Sequence, residues 1–539
     1  MTPTELISVI LKAPVDLFWN GGIGTYVKAS SETHSDAADR ANDVLRVDGS
    51  ELRCRVVGEG GNLGFTQRGR LEFARNGGLI YTDAIDNSAG VDCSDHEVNI
   101  KILLNAIVAS DDLTVKQRDI LLESMTEEVA SLVLADNYIQ TQCIDLVFND
   151  GNEVFDEQVR FMHQLESQNL LDRTIEFLPD VEECAERMAA ELGLLRPEIA
   201  VLVSYSKMVM YQELMQADLS DEPSAESILL DYFPEALREK YSNEIRSHRL
   251  KSEIINTVVT NEFVNRLGPT FVFRMQQELN VSVRDIAAAF LIARSIFRMP
   301  ELWTSIESQD NFVSSEEQYR MQILVRGLIE RATHWLLRSR QPSTGIEELV
   351  LRFQSGIDEL IASMPECLAD VQRKTLEQRI NHFKQAGAPD EIALSVARVV
   401  PLSSSLDIVE IAMSLEQPVK EIASVYFAIG QHLELTWLRD EIGGLKVSSH
   451  WHTLATAELR SDLHYQQRHL CAEIASSTEQ DLPGVERVTL WADRYPQAMG
   501  KFSTLVTELK ANTSLDFAML SLAVNEVHKL LRSDRPLAS

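Results

Sequence analysis

The sequence predicts a mixed fold. A short α/β portion covers residues 1–110, and a mainly α-helical region follows over residues 111–539, with a break near 305–318. Three observations predict it. A glycine-rich turn lies between two β-prone runs within Arg53–Asp83. Beyond Glu97, apolar residues recur at helical spacing almost to the end. The 45% hydrophobic content, without a low-complexity tract or a fixed repeat, argues for packed domains rather than disorder.

Taken in order, Thr4–Lys12 reads as an amphipathic helix ended by Pro14, and Val15–Trp19 as a buried strand. Asn20-Gly21-Gly22-Ile23-Gly24-Thr25 then turns; by composition alone it is a flexible loop. Ser35–Leu45 is expected to be a helix, leading to a turn at Asp48-Gly49. Arg53–Val57 is a short strand, and Gly58–Gly64 follows at once. Glycines there permit positive φ and close approach of backbone to a ligand. Thr66–Arg75 gives about three helical turns, Gly77-Gly78 stops them, and Leu79–Thr82 is the next strand, ending at Asp83. Glycines at a strand's carboxyl end lie where open α/β sheets bind ligands.

The glycine spacing is not the dinucleotide fingerprint. Gly58 and Gly60 fit it, but Leu63 stands where a third glycine belongs and Gly64 comes one late. Asp83 sits about where a ribose-binding acid would. An ordinary tight strand–helix connection fits these residues as well as a nucleotide-binding turn. Asp86–Ser94 is small and polar and reads as a loop that wraps something. Ser94 and Glu97 then form a capping box whose positive helix end favours a carboxylate or phosphate.

Helix follows helix from there: Val98–Ala109, Val115–Asp136, Val154–Asn169, Val181–Leu192 and Pro197–Tyr211. Asn256, Asn261 and Asn265 line Arg249–Leu267 and read as inter-helix or solvent contacts, ahead of a face toward the α/β portion. Ser282 to Asp285 is another capping box. Later helices run through Ser314–Arg340, Ile346–Met364, Val419–Leu433, Trp451–Ala475 and Pro496–Leu531, before a frayed tail from Arg532 to Pro536.

Gly58-Glu59-Gly60-Gly61-Asn62, then a helix, a strand and Asp86-Asn87-Ser88-Ala89-Gly90-Val91 with Ser94, resembles the second half of the NAD domain of glutamate dehydrogenases. Common members read E-G-A-N and N-A-G-G-V-x-x-S at these two places. The run from Asp16-Leu17-Phe18-Trp19-Asn20-Gly21-Gly22 through Asn99 is similar to the large bacterial NAD-specific members, and the helical remainder is similar to their C-terminal region. The resemblance implies a partial Rossmann-like domain over 1–110, with NAD as cofactor and oxidative deamination of L-glutamate to 2-oxoglutarate and ammonia as the reaction. It implies that Asn62 contacts the nicotinamide ribose and that Glu59, Gly60 and Gly61 form the turn around it. Asn87 then lies at the nicotinamide end of the cleft, with Gly22 and Gly24 on its cofactor side. Val91 and Ser94 line the glutamate pocket, the serine near a substrate carboxylate. No catalytic residue falls in this chain. The family's catalytic lysine and aspartate, and its first βαβ unit, precede this region and do not fit in the 52 residues before Arg53. The resemblance therefore implies a C-terminal piece of a longer, homo-oligomeric enzyme. The alternative is a non-catalytic helical regulatory or assembly module that keeps a relic of the NAD domain.

A net charge of −32 repels phosphate backbones, so nucleic acid is a poor partner, and solubility is the simplest reason for the charge. The longest apolar stretches, such as Ile286–Ile292, fall far short of the roughly 20 residues of a membrane span. The first residues have no secretory signal pattern. Six scattered cysteines without CxxC spacing suit a reducing cytoplasm. Cys93 reads as a small buried cysteine rather than a catalytic thiol. His464 and His469 are five apart, and His96 is bracketed by Asp95 and Glu97, whose side chains point elsewhere on a helix. None of the three reads as a metal ligand.

Overall fold

The computed structural model describes residues 2–217, 219–220, 222–339, 345–445 and 450–532. The tail from Ser533 onward, with the end of the expected Ser314–Arg340 helix, lies outside them. Two compact units divide the chain, Met1–Ala287 and Ala288–Ser539.

In the first unit, helix α1 (Pro3–Leu11) starts on a Thr2–Glu5 capping box. Strand β1 (Leu17–Asn20) pairs in parallel with β4 (Val56–Glu59), with Leu17 opposite Val56 and Asn20 opposite Glu59. A second parallel pair, β2 (Val27–Lys28) and β3 (Val47–Asp48), is only two residues long. Val27, Val47, Val57, Phe65, Phe73 and Ile80 form the core beneath these strands. Strand pairing among the described residues goes no further than these pairs and two isolated bridges. One joins Leu79 to Val56, where a full strand over Leu79–Thr82 was expected.

Three further expectations are corrected. The Val15–Trp19 strand is not buried: Leu17 and Trp19 are more than half exposed, because β1 has a neighbour on one edge only. Ser35–Leu45 is turns and one 3₁₀ segment, Arg40–Asn42. Its aspartates instead anchor the preceding turns by accepting from backbone N–H groups outside the stretch. Asp36 accepts from Thr33 N at 2.7 Å and Asp39 accepts from Thr25 N at 2.8 Å. Asp86–Ser94 is not a loop. After α2 (Gln67–Arg75), capped by Thr66, come α3 (Asp83–Asp86) and α4 (Ser88–Ala109). Ser94 therefore lies inside α4, not at its N-cap, and the helix's positive end moves to Ser88.

The buried face of α4 runs through His96, Ile100, Leu103, Leu104 and Ile107, which is helical spacing. It packs on α6 (Thr126–Asp150), which follows α5 (Val115–Ser124) across a break at Met125. One continuous helix over Val115–Asp136 was expected. Helices Arg196–Ala217 and Lys251–Leu267 complete the packing around α6. Asn256 and Asn265 are buried in the latter, and Arg266 donates to Gln142 of α6 at 3.0 Å.

The second unit is helical throughout its described residues. Its centre is Val419–His432, which is buried over most of its circumference and packs on Ile346–Cys367, Ser405–Leu415, His450–Ser477 and Gly484–Ala492. Among the described residues no single helix is long and apolar enough to cross a membrane. One bent pair, Asp390–Leu402 with Ser405–Leu415, reaches that length and composition together.

Candidate active site

Parallel pairing of β1 with β4 brings their carboxyl-terminal loops side by side. Gly61 N–H donates to Asn20 O at 2.9 Å. A Cβ on Gly61 would stand 2.5 Å from the Gly22 carbonyl oxygen, so the two loops touch through backbone alone at this point. Leu63, in place of a third glycine, takes the left-handed conformation itself, with φ of 59°. Its N–H donates to Asp83 Oδ2 at 2.7 Å, which holds the turn in that shape.

Beneath the turn lies a charge cluster that sequence reasoning did not find. Glu59 is fully buried, and its carboxylate accepts from Arg70 Nε at 2.7 Å and Nη2 at 3.0 Å. Arg70 also reaches Asp83 at 3.0 Å, and the Glu59 N–H donates to Asp86 Oδ2 at 2.8 Å. Three carboxylates share one guanidinium. Burial pushes the Glu59 carboxyl up to about 7 against the pull of Arg70, with Asp83 and Asp86 adding repulsion. Burial likewise pushes Asp86 up to about 6. Two consequences follow. The Glu59 side chain is committed to the core and its N–H to Asp86, so neither faces a ligand directly. Asp83, at the position of a ribose-binding acid, is engaged within the turn. The available signal was a lone arginine on the inward face of a short helix, four residues after the N-cap Thr66.

Asn62 and Asn87 come together above this cluster, the Asn87 amide donating to the Asn62 side-chain oxygen. Both are at least partly accessible. Gly22 meets Gly61 as described, while Gly24 turns away with φ of 127° against Asn42 and Asp39. Val91 and Ser94 are exposed on α4, one and two turns beyond Asn87. Asn20 is buried at the strand end, and its Nδ2 lacks a partner. Cys93, expected to be buried, is exposed. The groups offered here are amides and backbone. The one arginine of the cluster is already engaged by its acids, so the arrangement suits a neutral hydroxyl or carboxamide better than a phosphate.

Residues 191–529 match the family described as glutamate dehydrogenase, C-terminal, and residues 1–147 match bacterial NAD-glutamate dehydrogenase, catalytic domain. The chain belongs to the glutamate dehydrogenase family. Over 535 residues it is 42% identical to the NAD-specific glutamate dehydrogenase of Pseudomonas aeruginosa, covering 99% of this chain and 33% of that protein. The proteins of the same name from Halomonas elongata and Mycobacterium tuberculosis are 39% and 36% identical over 536 and 533 residues, with the same coverage. The chain thus spans about a third of the length of the relatives it matches.

Proposed function

We propose that this chain is the C-terminal part of an NAD-specific glutamate dehydrogenase that oxidatively deaminates L-glutamate to 2-oxoglutarate and ammonia. The observation that carries the reading is the Asn62–Asn87 pair, Asn62 in the turn after β4 and Asn87 at the start of α4, in a chain whose longer relatives carry that name. The α/β portion is then the second half of a Rossmann-like domain, and the open edge and exposed apolar residues of β1 are covered by the rest of the polypeptide. Asn62, Asn87 and the backbone of Gly60, Gly61 and Gly22 hold the nicotinamide ribose and orient it. Val91 and Ser94 present a small apolar surface and a hydroxyl to the substrate, the hydroxyl hydrogen-bonding one carboxylate. The bound nicotinamide supplies the hydride acceptor. The proton-transfer groups, a lysine and an aspartate, come from outside this chain. The working enzyme is a cytoplasmic homo-oligomer in this reading.

The test is glutamate-dependent NADH formation, measured on this chain and on a polypeptide extended to the relatives' length. We expect turnover from the extended form only. In that form Ser94→Ala should raise KM for glutamate at least tenfold with little change in KM for NAD, and Asn62→Ala should do the reverse. Turnover by the 539-residue chain alone would refute the assignment of the proton-transfer groups. Failure of both forms to oxidise glutamate or bind NAD would leave the non-catalytic helical module as the function.

A further inference from the structure

On the inward face of α4, Asp92 and His96 stand one turn apart, with Asp92 Oδ1 4.0 Å from His96 Nε2. Asp136 approaches them from α6. One donor atom from each of the three lies within 4.8 Å of the other two. Three facts separate this cluster from an ordinary acidic surface. His96 is 3% exposed, yet its Nδ1 has no hydrogen-bond partner, and Asp92 Oδ2 is likewise buried without one. The imidazole is fixed in place by stacking on Tyr232, with ring centroids 4.4 Å apart and planes 15° apart, and the Tyr232 hydroxyl is held by Asn99 at 2.9 Å. The local charge is unbalanced: Asp92, Asp95, Asp136 and Glu262 act on one another around a single ammonium, Lys207 of Arg196–Ala217. Lys207 Nζ hydrogen-bonds to Gln140 at 2.9 Å rather than to either aspartate.

We propose that Asp92, His96 and Asp136 form a divalent transition-metal site that ties α4 to α6. One imidazole nitrogen and two carboxylate oxygens form a mixed donor set suited to Zn²⁺ or Co²⁺. Zinc bonds of about 2.0–2.2 Å in a tetrahedron put donors about 3.4 Å apart, so the 4.0 Å between Asp92 and His96 closes by well under an ångström, and donors as far apart as 4.8 Å close by more than that. Asp136 is exposed, which gives the ion its entry and gives that side chain the freedom to close on it. Two positive charges would offset most of the excess negative charge around Lys207. The site is not visible in the local sequence: the residues adjacent to His96 point elsewhere, whereas its helical partner is four back and the third donor forty residues ahead. Val91 and Ser94 lie on the other side of α4, so this inference does not depend on the proposed reaction.

The test is titration of the metal-stripped 539-residue chain with Zn²⁺ by calorimetry, and with Co²⁺ by visible absorption. We expect one tight equivalent of Zn²⁺ and Co²⁺ bands characteristic of low coordination. Asp136→Asn, an exposed change that leaves the fold intact by circular dichroism, should weaken Zn²⁺ at least tenfold, as should Asp92→Asn. Millimolar Mg²⁺ should not displace Zn²⁺, because a nitrogen donor disfavours it. Absence of a tight equivalent, or unchanged affinity in Asp136→Asn, would overturn the proposal.

Discussion

Arg70 is the group on which the turn after β4 depends most, and replacing it by methionine gives a prediction in two parts. The guanidinium is 6% exposed and serves Glu59, Asp83 and, through space, Asp86. Methionine keeps much of the volume and removes the charge. Breaking a buried pair by deleting one partner costs about 3–5 kcal/mol, because the other charge stays buried and uncompensated. The loss depends on pH. Glu59's folded pKa, about 7, lies above its ordinary 4.5, so the folded state holds this proton more tightly than the unfolded state. Stability from this group is therefore full below about pH 4.5 and falls as pH rises toward 7, by roughly 3 kcal/mol in all. At pH 8 the R70M chain must either carry the unpaired carboxylate or hold a proton on Glu59 against the solvent pH, and loses about 3–5 kcal/mol. At pH 5 Glu59 takes up a proton, and only hydrogen bonds and packing are lost, about 1–2 kcal/mol. Urea unfolding at the two pH values, with hydrogen exchange read on peptides covering residues 52–66, measures this. Adding Glu59→Gln should recover part of the loss at pH 8 and little at pH 5. An equal loss at both pH values, or under about 1 kcal/mol at pH 8, would refute the picture of three acids sharing one arginine.

Other predictions follow from packing and exposure. Gly61→Ala places a methyl 2.5 Å from the Gly22 carbonyl and should cost about 1–3 kcal/mol, read as a lowered unfolding midpoint. Because alanine is usual here in the family this sequence resembles, full tolerance would mean that the Gly22 loop yields. Gly484→Ala meets the Ser424 backbone at 2.4 Å, where Gly484–Ala492 packs on Val419–His432, and should destabilise the second unit by a similar amount. Of six free cysteines only Cys93 is exposed, so an aromatic disulfide reagent should titrate one thiol per native chain rapidly and six after denaturation.

The pattern of helices was legible because burial on one helical face leaves a period in the sequence. Helices α1 and α2 and most later ones lie within a few residues of their expected places. The same logic explains the misreadings. The first two turns of α4 carry Ser88, Ala89, Gly90, Cys93 and Ser94, which have no apolar stripe, and they are helical because the apolar stripe from His96 onward anchors the rest of the helix. Ser35–Leu45 had helical composition, but its aspartates capture backbone donors that composition does not reveal.

At the site, the sequence by itself determined which short motifs hold the glycines and asparagines, because those residue types are required by close backbone approach and by amide hydrogen bonding. It could not determine which side chains meet. The contact of Asn62 with Asn87, the burial of Glu59 beneath Arg70, and the convergence of Asp92 and His96 on Asp136 each join residues 11 to 44 positions apart. Such contacts follow from the way α2 and α3 fold back on β4 and from the packing of α4 on α6, and a local pattern carries no information about either.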